Sequence, residues 1–125
     1  MISDSEHSIS RPLTIVVPTY NEAENLPKLA SALFALPILA CKLLVVDDHS
    51  PDGTGEVAEE LAAVYPGRVG VLHRPGKMGL GTAYLQGFRQ ALANGAEAID
   101  QMDADFSHPP EKLIDLLAAL QSCDV

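Results

Sequence analysis

The stretch Lys42-Leu43-Leu44-Val45-Val46-Asp47-Asp48-His49-Ser50-Pro51-Asp52-Gly53-Thr54 reads as a short buried strand that runs into a polar turn and a helix start. Lys42–Val46 is nearly continuous in Leu and Val, as expected of a strand covered on both faces. Ser50 to Thr54 has turn chemistry, with Asp52 or Thr54 available to cap the helix that follows. Working outward, the same unit recurs. Leu13–Val17, Val69–His73 and Glu97–Met102 read as further strands, and helical spacing runs over Glu22–Leu36, Thr54–Tyr65 and Gly79–Asn94. A last helix is predicted from about Pro109 to Leu120, with Pro109 and Pro110 in its first turn and Ser107 or His108 as its cap. Asn21 with Glu24 three residues later resembles a capping box, and Gly95 stands where a left-handed helix end is wanted. Four strand–helix alternations predict an α/β fold, a mostly parallel sheet flanked by helices.

The 125 residues suit one domain with one core, and 47% apolar against 20% charged favours a folded chain over a disordered one. Seventeen acidic against eight basic residues give a net charge of −9, the wrong sign for a nonspecific nucleic-acid binder, so no nucleic-acid partner is expected. Cys41 and Cys123 are too few and too far apart for a disulfide scaffold or a zinc ribbon, and read as small core residues in a reducing compartment. Residues 1–12 are a polar tail without the apolar run of a signal peptide, and the domain is expected over 13–125. The longest apolar stretch, Leu29 to Cys41, is broken by Ser31 and Pro37 and is too short to span a bilayer. The expectation is a soluble, cytoplasmic chain.

In parallel α/β sheets ligands bind beyond the carboxyl ends of the strands, so the residues there are the candidates for chemistry. After the first strand, Pro18-Thr19-Tyr20-Asn21-Glu22 offers a proline, an aromatic and an acid that can frame a flat base or a sugar, or serve as a turn and cap. After the second, Asp47 and Asp48 are adjacent carboxylates that repel each other. Each needs a donor, such as a base N–H, a ribose hydroxyl or a metal. After the third, Arg74 and Lys77 with Gly76, Gly79 and Gly81 suggest cations and backbone approaching a phosphate, or a plain flexible loop. This is not a P-loop, and Tyr84 breaks the dinucleotide fingerprint. After the fourth, Asp103 and Asp105 stand at i and i+2. In extended backbone such a pair faces one side and can share a hard divalent cation, Mg²⁺ or Mn²⁺. His108 reads as a cap or packing residue before it reads as a ligand.

Taken in order, Val16–Glu22, Val45–Thr54, Lys77–Tyr84 and Met102–Pro110 resemble glycosyltransferase family 2, and within it the dolichol- or polyprenol-phosphate mannose synthases. The likeness extends from residue 13 to about 120. It implies a GT-A, Rossmann-like fold and transfer of mannose, with inversion, from GDP-mannose to a polyprenyl monophosphate. Carried over by position, Pro18, Tyr20, Glu22, Val46 and Asp48 would line the nucleotide pocket. Asp103 and Asp105 would bind Mg²⁺ or Mn²⁺, with Asp105 the candidate catalytic residue and Ala104 touching the nucleotide sugar through its backbone. Some relatives carry Gln where Ser107 stands, and the shorter Ser hydroxyl would be a weaker metal ligand at that place. A lipid acceptor implies a peripheral position at the cytoplasmic face of a membrane. An acceptor that is already an oxyanion needs little general-base help.

The resemblance also implies a longer chain, so an incomplete domain is expected, lacking the acceptor half and leaving a sheet edge open to self-association. Three readings compete. A dehalogenase-type phosphohydrolase would carry its Asp-x-Asp on the first strand, and a phospho-receiver would place its acidic pair there and need a later Lys. The third is a binding module or remnant without turnover, which metal-dependent nucleotide binding would separate from an inert chain.

Overall fold

The computed structural model describes residues 13–36, 41–76, 80–102 and 104. Strand β1 (Leu13–Thr19) leads to helix α1 (Asn25–Phe34), β2 (Cys41–Asp47) to α2 (Thr54–Val64), and β3 (Val69–His73) to α3 (Leu80–Ala93), after which β4 (Ala98–Gln101) closes the described part. The expected elements are all present here except the helix over 109–120, which lies outside the described residues, as do the tail 1–12 and Cys123. The sheet has the order β3-β2-β1-β4, and every pairing is parallel. The chain therefore steps outward from β1 to β3 and then crosses back to the far side of β1. That reversal between β1 and β4 is the place where open α/β sheets form a ligand crevice at their carboxyl edge.

Burial follows position in the sheet. The central strands β1 and β2 are almost wholly buried, which is why they read as unbroken apolar runs. The outer strands β3 and β4 are half exposed, and β4 covers Ala98–Gln101, two residues fewer than its sequence suggests. On one face, Ile15, Val17, Leu43 and Val45 pack against Leu26, Leu29, Ala30 and Leu33 of α1 and Ala58 and Leu61 of α2. These α1 positions fall at i, i+3, i+4 and i+7, the stripe that an amphipathic helix buries. On the other face, Val16, Leu44 and Val46 meet α3 through Ala83 and Ala91.

Helix α3 comes close because its buried positions are small. A Cβ on Gly87 would lie 2.4 Å from Val16 Cγ1 and 3.2 Å from Val46 Cγ2. The helix ends as expected at Gly95, whose φ of +91° lets its N–H reach Leu92 O at 3.1 Å while Ala96 N–H reaches Ala91 O at 3.0 Å. The expected capping box at α1 does not form. Asn21 sits at φ +60°, and the helix starts after Glu24 without a side-chain cap, because the loop after β2 satisfies the free amides instead.

Two predictions follow from this packing. Gly87→Ala should lose about 1–3 kcal/mol in urea denaturation through overpacking. Gly81→Ala, on the same helix with nothing within 4 Å, should be neutral or gain up to about 1 kcal/mol. Burial of Cys41 pushes its thiol up to about 11, with Arg68 pulling weakly the other way. The folded chain thus holds that proton more tightly than the unfolded one. This contribution is complete below the unfolded thiol's range and disappears as the pH rises through about 11. The urea midpoint should fall over that window more steeply than in Cys41→Ala.

Candidate functional site

Parallel pairing brings the carboxyl ends of the strands to one edge, with Thr19, Asp47 and His73 in register across β1, β2 and β3. The two aspartates after β2 are both buried and separately partnered. Asp47 Oδ1 accepts from the Thr19 hydroxyl at 2.9 Å and the Ser50 hydroxyl at 2.6 Å, and Oδ2 accepts from Ser50 N–H at 3.1 Å. Asp48 faces Arg74, whose Nε lies 2.8 Å from Oδ1 and whose Nη2 donates to Oδ2 at 3.4 Å. The donors that Asp47 requires are thus supplied within the chain, whereas Asp48 is charge-paired with Arg74 and its buried Oδ1 accepts no hydrogen bond among the described residues.

Arg74 is itself 3% exposed. Its Nη1 donates to Thr82 Oγ1 at 3.1 Å and Gln86 Oε1 at 3.0 Å on α3, and its backbone N–H donates to Asp47 O at 2.8 Å. A buried guanidinium fork between a carboxylate and a helix is a structural cation, so its reading as a mobile phosphate ligand is replaced. Lys77 lies outside the described residues. The register could have revealed this pair: with Asp47 opposite His73, the next residue on each strand is Asp48 and Arg74.

Across from Asp47 lies the loop after β1. Pro18 is half-buried at the end of β1, Tyr20 is 41% exposed, and Glu22 is half-buried with Oε1 accepting from Asn25 Nδ2 at 3.3 Å. Val46 is fully buried, with its side chain in the cluster under α3, and it lies alongside Pro18, its register partner on β1. Ala104 and Met102 are buried on the opposite face, and Met102 N–H donates to Val16 O at 3.1 Å, which ties the segment after β4 to β1. Strand β4 ends at Gln101, and Ala104 stands in a turn. Asp103, Asp105 and Ser107 themselves lie outside the described residues.

The two loops interlock through Ser50, Asp52 and Thr54. Asn21 N–H donates to Ser50 Oγ at 3.0 Å, Glu22 N–H to Thr54 Oγ1 at 2.9 Å and Ala23 N–H to Asp52 Oδ2 at 3.2 Å. The Thr54 hydroxyl and N–H both donate to Asp52 Oδ1, and the hydroxyl bond holds the Asp52 carboxyl below the usual carboxylate range. Asp52 therefore caps α2, with Gly53 in the left-handed region at φ +88°. His49 at φ +57° and Asn21 at φ +60° carry the same backbone form without being glycine, one on each loop. Non-glycine residues in that region cluster where a loop is held for a purpose.

On the β3 side, a shallow cleft of about 260 Å³ is lined by residues including Asp47, Ser50, Glu59 and His73. His73 Nε2 sits 2.6 Å from Glu59 Oε2, with both side chains about half exposed, a pair worth at most about 1 kcal/mol. The cleft includes none of Pro18, Tyr20 or Glu22.

The Glycosyl transferase family 2 model matches residues 14–125. The chain belongs to glycosyl transferase family 2. It is 50% identical over 109 residues to a polyprenol monophosphomannose synthase of Mycolicibacterium smegmatis, covering 86% of this chain and 40% of that protein. It is 51% identical over 116 residues to an undecaprenyl-phosphate mannosyltransferase of Micrococcus luteus, covering 92% and 46%. Among solved structures it resembles a mannosyltransferase of Pyrobaculum calidifontis in complex with GDP-Man and Mn²⁺, at 27% identity and a TM-score of 0.72, covering 83% of this chain and 31% of that one. The chain spans less than half the length of these proteins.

The Asp48–Arg74 pair makes a sharp stability prediction. Arg74→Ala should cost roughly 3–5 kcal/mol in urea denaturation, because a buried carboxylate is left uncompensated. The double variant Asp48→Asn/Arg74→Met should recover most of that loss in a double-mutant cycle.

Proposed function

We propose that this chain is the nucleotide-sugar-binding part of a mannosyltransferase that moves mannose, with inversion, from GDP-mannose to a polyprenyl monophosphate. What carries the reading is the identity of about half its residues with two polyprenyl-phosphate mannose-transferring relatives. In support, the described motif residues after β1 and β2 lie at the carboxyl edge of a parallel sheet whose order reverses between β1 and β4. Tyr20 and Glu22 are the groups best placed to meet a nucleoside: Tyr20 is 41% exposed, and Glu22 is half-buried on the loop after β1. Pro18 lies alongside Val46 at the end of β1, and Asp48 is ion-paired with Arg74.

Asp103 and Asp105, with Ser107 as a weaker third ligand, form an all-oxygen donor set, the kind that Mg²⁺ and Mn²⁺ prefer. Such an ion, when bound, neutralises charge on the departing diphosphate. Asp105 is proposed as the residue on which that step depends, with the backbone of Ala104 against the nucleotide sugar. The acceptor's polyprenyl tail gains about 0.8 kcal/mol per buried CH₂, so its phosphate would be presented at a membrane surface. A peripheral position on the cytoplasmic face goes with that acceptor. No helix among the described residues is long and apolar enough to cross a membrane.

Calorimetric titration of GDP and of UDP, with Mn²⁺ and then with EDTA, tests the donor half. The expected result is GDP binding that EDTA abolishes and that Asp105→Ala weakens at least tenfold. A folded chain that binds neither nucleotide would overturn the assignment.

A further inference from the structure

The loop that follows β1 receives its shape from the loop that follows β2. Three consecutive backbone amides, those of Asn21, Glu22 and Ala23, have no helical acceptor, and each donates to a side chain of the neighbouring loop: Ser50, Thr54 and Asp52 in turn. The acceptors are taken in the order 50, 54, 52, so the two loops interlock through side chains and do not pair as strands.

The protons in these contacts can all be accounted for. A hydroxyl has one proton to give. The Ser50 hydroxyl gives its proton to Asp47 Oδ1, and that of Thr54 goes to Asp52 Oδ1. Each oxygen is therefore left with lone pairs only, turned toward the Asn21 and Glu22 amides. The third amide goes directly to Asp52 Oδ2. Two carboxylates thus orient two hydroxyls as acceptors and hold three amides. Thr54 is fully buried, so its hydroxyl has no water to take its place.

We infer that Ser50, Asp52 and Thr54 are positioning residues for nucleotide binding. They fix the backbone that carries Tyr20 and Glu22 and touch no part of the ligand themselves. This rests on the donor-site reading above. If it holds, nucleotide affinity depends on the acceptor oxygen at position 54 and not on the volume of that side chain.

Two substitutions at position 54 separate these. Thr54→Val keeps shape and removes the oxygen, whereas Thr54→Ser keeps the oxygen and removes a methyl. Ser50→Ala, at a less buried position, serves as the second probe should Thr54→Val fail to fold. Amide hydrogen exchange by NMR reads the loop, and calorimetry with GDP and Mn²⁺ reads the site.

The expected result is faster exchange at Glu22 in Thr54→Val, or at Asn21 in Ser50→Ala. GDP binding should be about tenfold weaker in both, with Thr54→Ser near wild type on both readouts. Faster exchange with wild-type GDP affinity overturns the inference and leaves the donor-site reading standing. Equal loss of affinity in Thr54→Ser and Thr54→Val overturns it too, since volume would then be the cause. A wild-type chain that fails to bind GDP overturns both.

Discussion

Two carboxylates stand side by side at the end of β2, and the carboxyl edge of the sheet depends on keeping them apart. Buried like charges on neighbouring residues are tolerable only if each finds its own donors. Asp47 takes hydroxyls and an amide from Thr19 and Ser50, and Asp48 takes the guanidinium of Arg74. The first set ties β2 to β1 and shapes the turn toward α2. The second ties β2 to the residue after β3 and, through Thr82 and Gln86, to the first turns of α3. One dipeptide thereby anchors three loops and both layers of helices.

The elements were legible because their causes are local. Val16, Val17, Val45 and Val46 sit in strands covered on both faces, and such strands need no polar alternation. Leu26, Leu29 and Leu33 repeat at the spacing of one helix face, and Gly95 ends α3 with the one backbone form that glycine adopts without strain. The partners of polar groups were not legible, because a partner is chosen by register and not by sequence neighbours. Asn21 and Glu24 have the spacing of a capping box, yet the Asn21 amide that such a box would satisfy is claimed by Ser50, and the next two amides by Thr54 and Asp52, all about thirty positions away. Arg74, in a glycine-bearing loop, suggests a phosphate ligand until the pairing of β2 with β3 sets it against Asp48.

The same limit applies to the candidate site. Membership of glycosyl transferase family 2 assigns the motifs, and parallel pairing brings the ends of β1, β2 and β3 to one edge. Neither reveals which acidic residues bind and which build. Val46 is an example: it falls inside a motif, but its side chain is enclosed under α3, where Gly87 leaves no room for a Cβ. A motif residue of that kind shapes a pocket from behind.

The acidic groups near the edge therefore divide by what already occupies them. Asp47 and Asp52 each accept several internal hydrogen bonds, and Asp48 is charge-paired, so most of their lone pairs are committed before any ligand arrives. Glu22 carries a single weak bond from Asn25 at 3.3 Å, the lightest engagement among the acids on these two loops that bond within the chain. A carboxylate so lightly held loses little in turning toward a ribose hydroxyl or a base N–H, whereas Asp47 could do so only by releasing Thr19 and Ser50. If this edge binds a nucleotide, as proposed, recognition on this side would fall to Glu22 and Tyr20, and the neighbouring aspartates would supply a rigid wall that lowers the entropic cost of binding.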